Sequence, residues 1–332
     1  MTPPLASLAM IALVRDRTTE KALVRALQSV EPLLAVGIDE ARIVLDDRSM
    51  ALDWQVRDGG RDDGTLSFTR RAWPESFADQ RNFADSICRG DWIVLLDADD
   101  VYETTGDLRR LMLEAPSDVD AIFGEHRSVD EHGAVVEVTR HAVAYRRGRC
   151  SWKWREHSQV LGIRRCIDST AVIRKTYRKA DLPGKARRAI PLLMRDLEDE
   201  PKSAHAPFFL ARSWWLLGDA RQAIAWARRA IDLAPDDRGY ATAWVLLAWA
   251  TLDTEGVPAA GAVVDEAMRW HPTMPDLLHA RAFLAAARWM DACQEAESSW
   301  RITGISTARF APRLAEMAMS LGWPIAAEAA DA

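Results

Sequence analysis

Apolar residues come in short unbroken runs through the first half of this chain and at helical spacing through the second. Leu8 to Val14 is a continuous apolar run of the kind that forms a strand covered on both faces. Thr18 to Val30 places Ala22, Leu23, Ala26, Leu27 and Val30 on one helical face. A second strand is predicted from Ala41 to Leu45, ending at Asp46-Asp47. Arg57 to Thr65 is polar and Gly-rich and reads as a loop. Ser76 to Cys88 predicts a helix leading into a strand that opens at Trp92. Leu108 to Glu114 predicts a further helix, and Ala121 to Gly124 a further strand. This alternation implies a mainly parallel sheet with helices on both faces.

The pattern changes near Leu182, where strands stop and Ala-rich helices begin. Ala211, Ala223, Ala230 and Pro235 recur 37 residues later as Ala248, Ala260, Ala267 and Pro272. Ala189 and Pro201 precede Ala223 and Pro235 by 34 residues. A fixed period of this length indicates helix pairs stacked as repeats. Small Ala residues let paired helices approach closely, and the proline ends the second helix of each pair. Leu217-Gly218-Asp219 suits a left-handed helix end followed by a new N-cap. A third copy, Leu277 to Trp300, is degraded, as terminal repeats often are.

The chemistry concentrates where the run Trp92 to Leu96 meets Asp97, Asp99 and Asp100. Strand side chains alternate, so Asp97 and Asp99 point the same way. Ligands of open α/β sheets bind beyond the carboxyl ends of the strands. Two carboxylates there suit a hard divalent cation bridging to a phosphate.

Composition narrows the class. A length of 332 residues favours two domains, and 48% hydrophobic with 28% charged residues is ordinary for a globular protein. No segment has the ~20 apolar residues of a membrane span. Met1-Thr2-Pro3-Pro4 lacks the basic start of a secretory signal. Cys88, Cys150, Cys166 and Cys293 are scattered, which fits a cytoplasmic protein rather than a disulfide framework or a structural zinc site. A net charge of −6 gives no support to nucleic-acid binding.

Asp46-Asp47-Arg48-Ser49, with the segments that follow, resembles family 2 glycosyltransferases: it is similar to the Asp-Asp-Gly-Ser turn after that family's second strand, with Arg48 in place of Gly. The Asp expected next is displaced, with Asp53 the nearest match, and Met50 to Gly64 does not align. Phe77-Ala78-Asp79-Gln80-Arg81-Asn82 resembles the family's Phe-Ala-x-x-Arg-Asn helix start. Gly90-Asp91-Trp92 through Asp97-Ala98-Asp99-Asp100 resembles its Gly-Asp-Trp…Asp-Ala-Asp segment. Trp152 to His157 resembles the segment with a His late in the catalytic domain, although the usual His-Glu pair reads His157-Ser158 here. The repeats resemble tetratricopeptide repeats. A tail of that kind after such a domain resembles bacterial and phage protein or peptide glycosyltransferases.

The resemblance implies a GT-A, Rossmann-like α/β domain over residues 1–180 and an all-α tetratricopeptide-like domain over 181–332. It implies a nucleotide-diphosphate sugar donor, a UDP-sugar first, with Mn²⁺ or Mg²⁺, and inverting transfer. Asp99 is then the metal ligand, Asp97 meets the ribose or a metal-bound water, and His157 completes the metal shell. Asp46 and Asp47 contact base or ribose, and Arg81 and Asn82 position base or phosphate. Asp46 and Asp47 also fit a reading as turn carboxylates, and His157 a reading as a structural histidine. Glu156, Asp100 and Glu125 are all candidates for the base that deprotonates the acceptor. Trp152 and Trp154 read equally as acceptor-side stacking faces or as core. Arg146-Arg147-Gly148-Arg149 reads as a solvated loop or as a steering patch for an anionic donor.

Three other functions compete. One is a catalytically inactive scaffold whose repeats bind a partner. Another is a haloacid-dehalogenase-type phosphatase, but its Asp-x-Asp is followed by Thr and lies on the first strand. A nucleotidyltransferase shares the carboxylates but leaves the repeats unexplained. Among Trp214, Trp215, Trp226, Trp244, Trp249 and Trp270, Trp214 and Trp244 are expected in the core. The others offer a surface for a protein or peptide acceptor, or for a second copy of the chain in a homodimer.

Overall fold

The computed structural model describes residues 5–36, 38–50, 66–176 and 179–288. Asp53, the loop read from Arg57 to Thr65, Cys293 and the far half of the third repeat copy lie outside the described residues.

The first half is an α/β fold. Its elements in order are β1 (Ala6–Ala12), α1 (Arg17–Val36), β2 (Ile38–Asp46), β3 (Leu66–Arg71), α2 (Phe77–Ser86) and β4 (Trp92–Leu95). There follow β5 (Val101–Thr104), α3 (Leu108–Glu114), β6 (Ala121–Val129), β7 (Val135–Arg146), β8 (Ser151–Lys153), β9 (Gln159–Leu161) and β10 (Cys166–Thr176). Eight strands form one sheet in the order β3-β2-β1-β4-β7-β6-β10-β5. β1 runs parallel to β2 and β4, β2 to β3, and β6 to β10. β7 is antiparallel between β4 and β6, and β5 is an antiparallel edge. The carboxyl ends of β1, β2, β4, β6 and β10 therefore share one edge of the sheet. The chain leaves β1 toward β2 on one side and β4 on the other, which opens a crevice where parallel sheets bind ligands.

The apolar runs are buried for the expected reason. Ala6, Leu8 and Met10 join one core cluster and Ala9 joins the other, so β1 is covered on both faces. Gly90 lets the approach to β4 cross close over β1: a Cβ there would lie 2.5 Å from the Ala6 carbonyl carbon. Its N–H donates to Ser7 Oγ at 2.8 Å. α2 starts where Ser76 Oγ accepts the Asp79 N–H at 3.0 Å. The apolar pattern did not predict β3, β5 or β7 to β10. The first part of β7 carries alternating polar residues and is exposed, so no apolar run announces it.

The second half is helical: α4 (Leu182–Asp199), α5 (His205–Leu216), α6 (Ala220–Leu233), α7 (Thr242–Glu255) and α8 (Val257–Trp270), with residues 275–288 helical beyond. α7 and α8 begin 37 residues after α5 and α6, so the sequence period is a structural one. Gly218 has φ 81° and Asp219 caps α6 by accepting the Gln222 N–H. By compactness the chain divides into Met1–Leu217 and Gly218–Ala332, which leaves α4 and α5 in the first unit. Ala223, Ala227, Ala230, Ala260 and Ala267 are buried, and Trp244 is in the core with its indole N–H on Pro235 O at 3.3 Å. Trp214 is half-buried. Among the described residues no helix is long and apolar enough to cross a membrane.

Candidate active site

Three carboxylates leave the end of β4 in different states. Asp99 is exposed, and its carboxylate makes no hydrogen bond or ion pair among the described residues. Asp97 is one-third exposed and accepts from Arg81 at 2.6 Å. Burial pushes the Asp97 carboxyl up, but Arg81 and Lys175 outweigh it and hold the group below its ordinary range. Asp100 is buried, its Oδ1 has no partner, and burial together with the charges of Asp97 and Asp99 pushes it up.

Arg81 comes from α2. Its guanidinium lies 4.4 Å above the Trp152 ring. Trp152 Nε1 donates to the Tyr145 hydroxyl at 2.8 Å, and that hydroxyl donates to Asp85, one turn after Arg81. Burial raises Asp85 to about 6. Arg81 is thus fixed between the β4 end and a buried polar chain. Asn82 acts on the backbone instead. Its amide donates to Trp152 O and accepts the Trp152 N–H, both at 2.9 Å. It holds β8 as a strand neighbour would.

At the β2 end, Asp46 is buried and grips Arg48, accepting from its backbone N–H and Nε at 2.9 Å and from its guanidinium at 2.5 Å. The Arg48 hydrogen bonds hold Asp46 below its ordinary range against the effect of burial. Arg48 does not require the positive φ that a glycine would supply. Ser49 Oγ accepts the Val14 N–H at 3.1 Å, tying this turn to the end of β1. Asp47 is exposed beside it.

Two groups beside these carboxylates, Lys175 and His126, carried no sequence signal. Lys175 on β10 is close enough to interact with Asp97, Asp100 and Asp99; burial lowers its ammonium pKa, and those carboxylates more than restore it. His126 on β6 has a buried Nε2 with no partner and is pushed to about 4, by burial first and by His141 next. The two imidazoles meet edge to face at 5.2 Å. The apolar triple Ala171-Val172-Ile173 was the available signal for β10. Its pairing, Ile173 opposite His126 and Lys175 opposite Ser128, is long-range.

The segment between β8 and β9 carries Glu156 and His157. Burial pushes Glu156 up to about 7, against the lowering effect of the His157 N–H and of Arg188. His157 stacks on Phe209 with centroids 4.0 Å apart, and the packing with nearby Arg212 and His205 keeps its imidazole neutral. Glu125, on β6, is taken up by Arg127, which also reaches Glu103 at 3.2 Å. The basic run from Arg146 lies at the opposite edge of the sheet. Arg146 donates to Val119 O at 3.0 Å, and Arg149 pairs with buried Asp120 at 3.3 Å.

Among the described residues no three His, Cys, Asp or Glu side chains group as a ready metal site. The donor chemistry nevertheless fits a hard divalent cation that uses one or two carboxylates and takes its other ligands from substrate phosphates and water. Asp99 is free for that, with Asp97 beside it.

Carboxylates at the crevice end of β4 with cations beside them suit a phosphorylated ligand held with a divalent cation. The family model for glycosyl transferase family 2 matches residues 11–180, just over half of the chain. The chain belongs to that family and is a glycosyltransferase, using a nucleotide-sugar donor and followed by tetratricopeptide-like helices. This removes the phosphatase and nucleotidyltransferase readings. Among solved structures it is similar to S. aureus TarS 1-349 in complex with UDP, at 16% identity and TM-score 0.45, over 86% of this chain and 91% of that one. It is also similar to the second TPR domain of human RPAP3 in complex with an HSP70 peptide, at 18% identity and TM-score 0.28, over 32% of this chain and 92% of that one. No curated protein matches the chain.

Proposed function

We propose that this enzyme transfers a sugar from a UDP-sugar to a protein or peptide, with inversion and with Mn²⁺ or Mg²⁺, residues 1–180 carrying the donor site and 181–332 the repeats. The observation that carries the reading is the pairing of free Asp99 and Arg81-bound Asp97 at the end of β4. The cation, when bound, neutralises the diphosphate leaving group as a Lewis acid. Arg81 and Lys175 add fixed positive charge on the same side. Asp97 is kept ionised and oriented by Arg81, ready to accept from a ribose hydroxyl or a bound water. Asp46 and Asp47 face the nucleoside end from β2.

The acceptor hydroxyl needs a base. Burial and the charges of Asp97 and Asp99 push Asp100 up, and Glu125 is occupied by Arg127, so the base is assigned to Glu156. It takes the acceptor proton as the acceptor oxygen attacks the anomeric carbon and the nucleoside diphosphate leaves. His157, neutral, is available as a further ligand or hydrogen-bond partner. The peptide acceptor is supported by the repeats and by exposed Trp270 and Leu278, at 47% and 45%.

Thermal-shift measurement across nucleotide sugars, with and without Mn²⁺, tests the donor: a ligand of the native state raises Tm by mass action. UDP-sugars are expected to shift wild type in Mn²⁺ and to shift Asp99→Asn much less; equal shifts would remove the metal role. For the acceptor, glycoproteins are compared by mass spectrometry in cells with and without the enzyme. Loss of sugar from a glycolipid or polysaccharide alone would sink the peptide reading and make the repeat surface an assembly face, such as a homodimer contact.

A further inference from the structure

The segment Trp154–His157 is backbone that should not hold itself. Trp154 has φ 70° and His157 φ 50°, left-handed values that L side chains adopt rarely, and neither residue is glycine. Local sequence gives no reason for this shape, so the neighbours must impose it.

Those neighbours are α4 and α5, both beyond the family-matched stretch. The Trp154 ring stacks on His205 with centroids 3.7 Å apart and planes 7° apart. His157 stacks on Phe209 at 12°. His205 and Phe209 are one helical turn apart on α5 and touch each other at 4.7 Å. His205 Nε2 lies 3.2 Å from Glu156 O. From α4, Asp196 accepts the Arg155 N–H at 3.0 Å and its guanidinium at 3.0 Å. Asp199 takes the same guanidinium at 2.6 Å. Arg155 O in turn accepts the Phe77 N–H at 2.8 Å, joining the segment to the start of α2, the helix of Arg81. His205 and Asp196 are themselves buried, while His157 and Asp199 stay exposed at the rim of the contact.

From this we infer that α4 and α5 are positioning elements of the transferase site: Asp196, His205 and Phe209 lock Trp154–His157 into the strained backbone that presents Glu156 and His157 to the substrates. This rests on the assignment of Glu156 and His157 above. It makes the working catalytic unit end at Leu217 rather than at the end of the family match. Two helices of repeat-like sequence have been taken into the enzyme.

The test uses the full chain with Phe209→Leu, which keeps an apolar residue but removes the stacking face, and Asp196→Asn, which removes the charge under Arg155. Donor-sugar hydrolysis gives kcat and KM, UDP affinity is measured by calorimetry, and amide exchange is followed in the peptide containing Arg155. A displacement of the order of 1 Å in a catalytic group costs about 100-fold in rate. The expected result is therefore a fall in kcat of about 10- to 100-fold with donor KM and UDP affinity within about twofold. Faster exchange at Arg155 is expected alongside it, and Phe209→Tyr, which keeps the ring, should recover most of the turnover. Unchanged kcat in both variants, or a parallel loss of UDP affinity, would overturn the inference. Should wild type bind no nucleotide sugar, the functional assignment fails separately. The exchange measurement then decides alone, and unaltered protection at Arg155 in both variants overturns the clamp.

Discussion

Arg81 and Asp97 meet at 2.6 Å, the first from a helix surface and the second from the end of a buried strand. The pair sets the state of the site, because Arg81 is also pinned over Trp152 and has nowhere else to go. Replacing Arg81 with Met keeps the stem that packs on the indole but removes the charge. Asp97 then loses its strongest counter-charge, and a bound diphosphate loses a donor. UDP affinity in Mn²⁺ should fall about 10- to 100-fold, the roughly 1.5–3 kcal/mol of one hydrogen bond between charged groups. Calorimetric titration of UDP into Arg81→Met checks this, and wild-type affinity would show that Arg81 serves packing alone.

A second charge cluster fixes the fold rather than the chemistry. Glu40 is fully buried beneath the start of β4 and accepts from Ser7 Oγ at 2.6 Å, Arg89 N–H at 2.5 Å and Arg89 Nε at 2.9 Å, and also pairs with Arg42. Burial pushes its carboxyl up, but these donors overcome it and bring the group from 4.5 to about 2. The folded value is depressed, so the stabilisation is fully present above the unfolded value and is lost as pH falls from 4.5 toward about 2. Its size is on the order of 3 kcal/mol. Glu40→Gln should lower Tm at neutral pH by roughly 5 °C. It should also flatten the fall in Tm over that acid window. A Tm–pH profile identical to wild type would refute the assignment.

What the sequence made legible follows from how local each signal is. β1, β2 and β4 are covered on both faces, so their apolar runs are readable, broken in β2 only by Arg42, and the carboxylates that follow β2 and β4 come with them. The α2 start was readable from Ser76, which caps through a contact three residues long. The repeat helices were readable because the period of 37 residues is set by helix and turn lengths. Lys175 and His126 were not readable, because His126 reaches Asp97 only through the pairing of β6 with β7 and of β7 with β4, and Lys175 needs that of β10 with β6 as well. Arg48 looked like a defect in the glycine turn. Its side chain instead becomes the partner of Asp46, a role visible only once the turn is folded. Asn82 looked like a substrate contact, yet both ends of its amide are taken by Trp152.

Lys175 gives the sharpest remaining test, because two of its consequences have opposite signs. Its ammonium group faces Asp97, Asp99 and Asp100 without a direct ion pair to any of them among the described residues. It therefore competes with a divalent cation for the field of those carboxylates, while it attracts a diphosphate just as the cation does. Lys175→Met should tighten Mn²⁺ binding to the protein without nucleotide, on the order of three- to tenfold for a unit charge about 6 Å from the ion where exposed Asp99 keeps the effective dielectric close to that of water. The same substitution should weaken UDP binding in EDTA by a similar factor, and that loss should shrink as salt is raised. Lys175→Arg keeps the charge and should restore both. Manganese resonance and UDP calorimetry on the full chain read the two effects separately. If Mn²⁺ and UDP binding both weaken, the lysine is holding the carboxylates in place and not sharing their field. If neither moves, it lies outside the donor site.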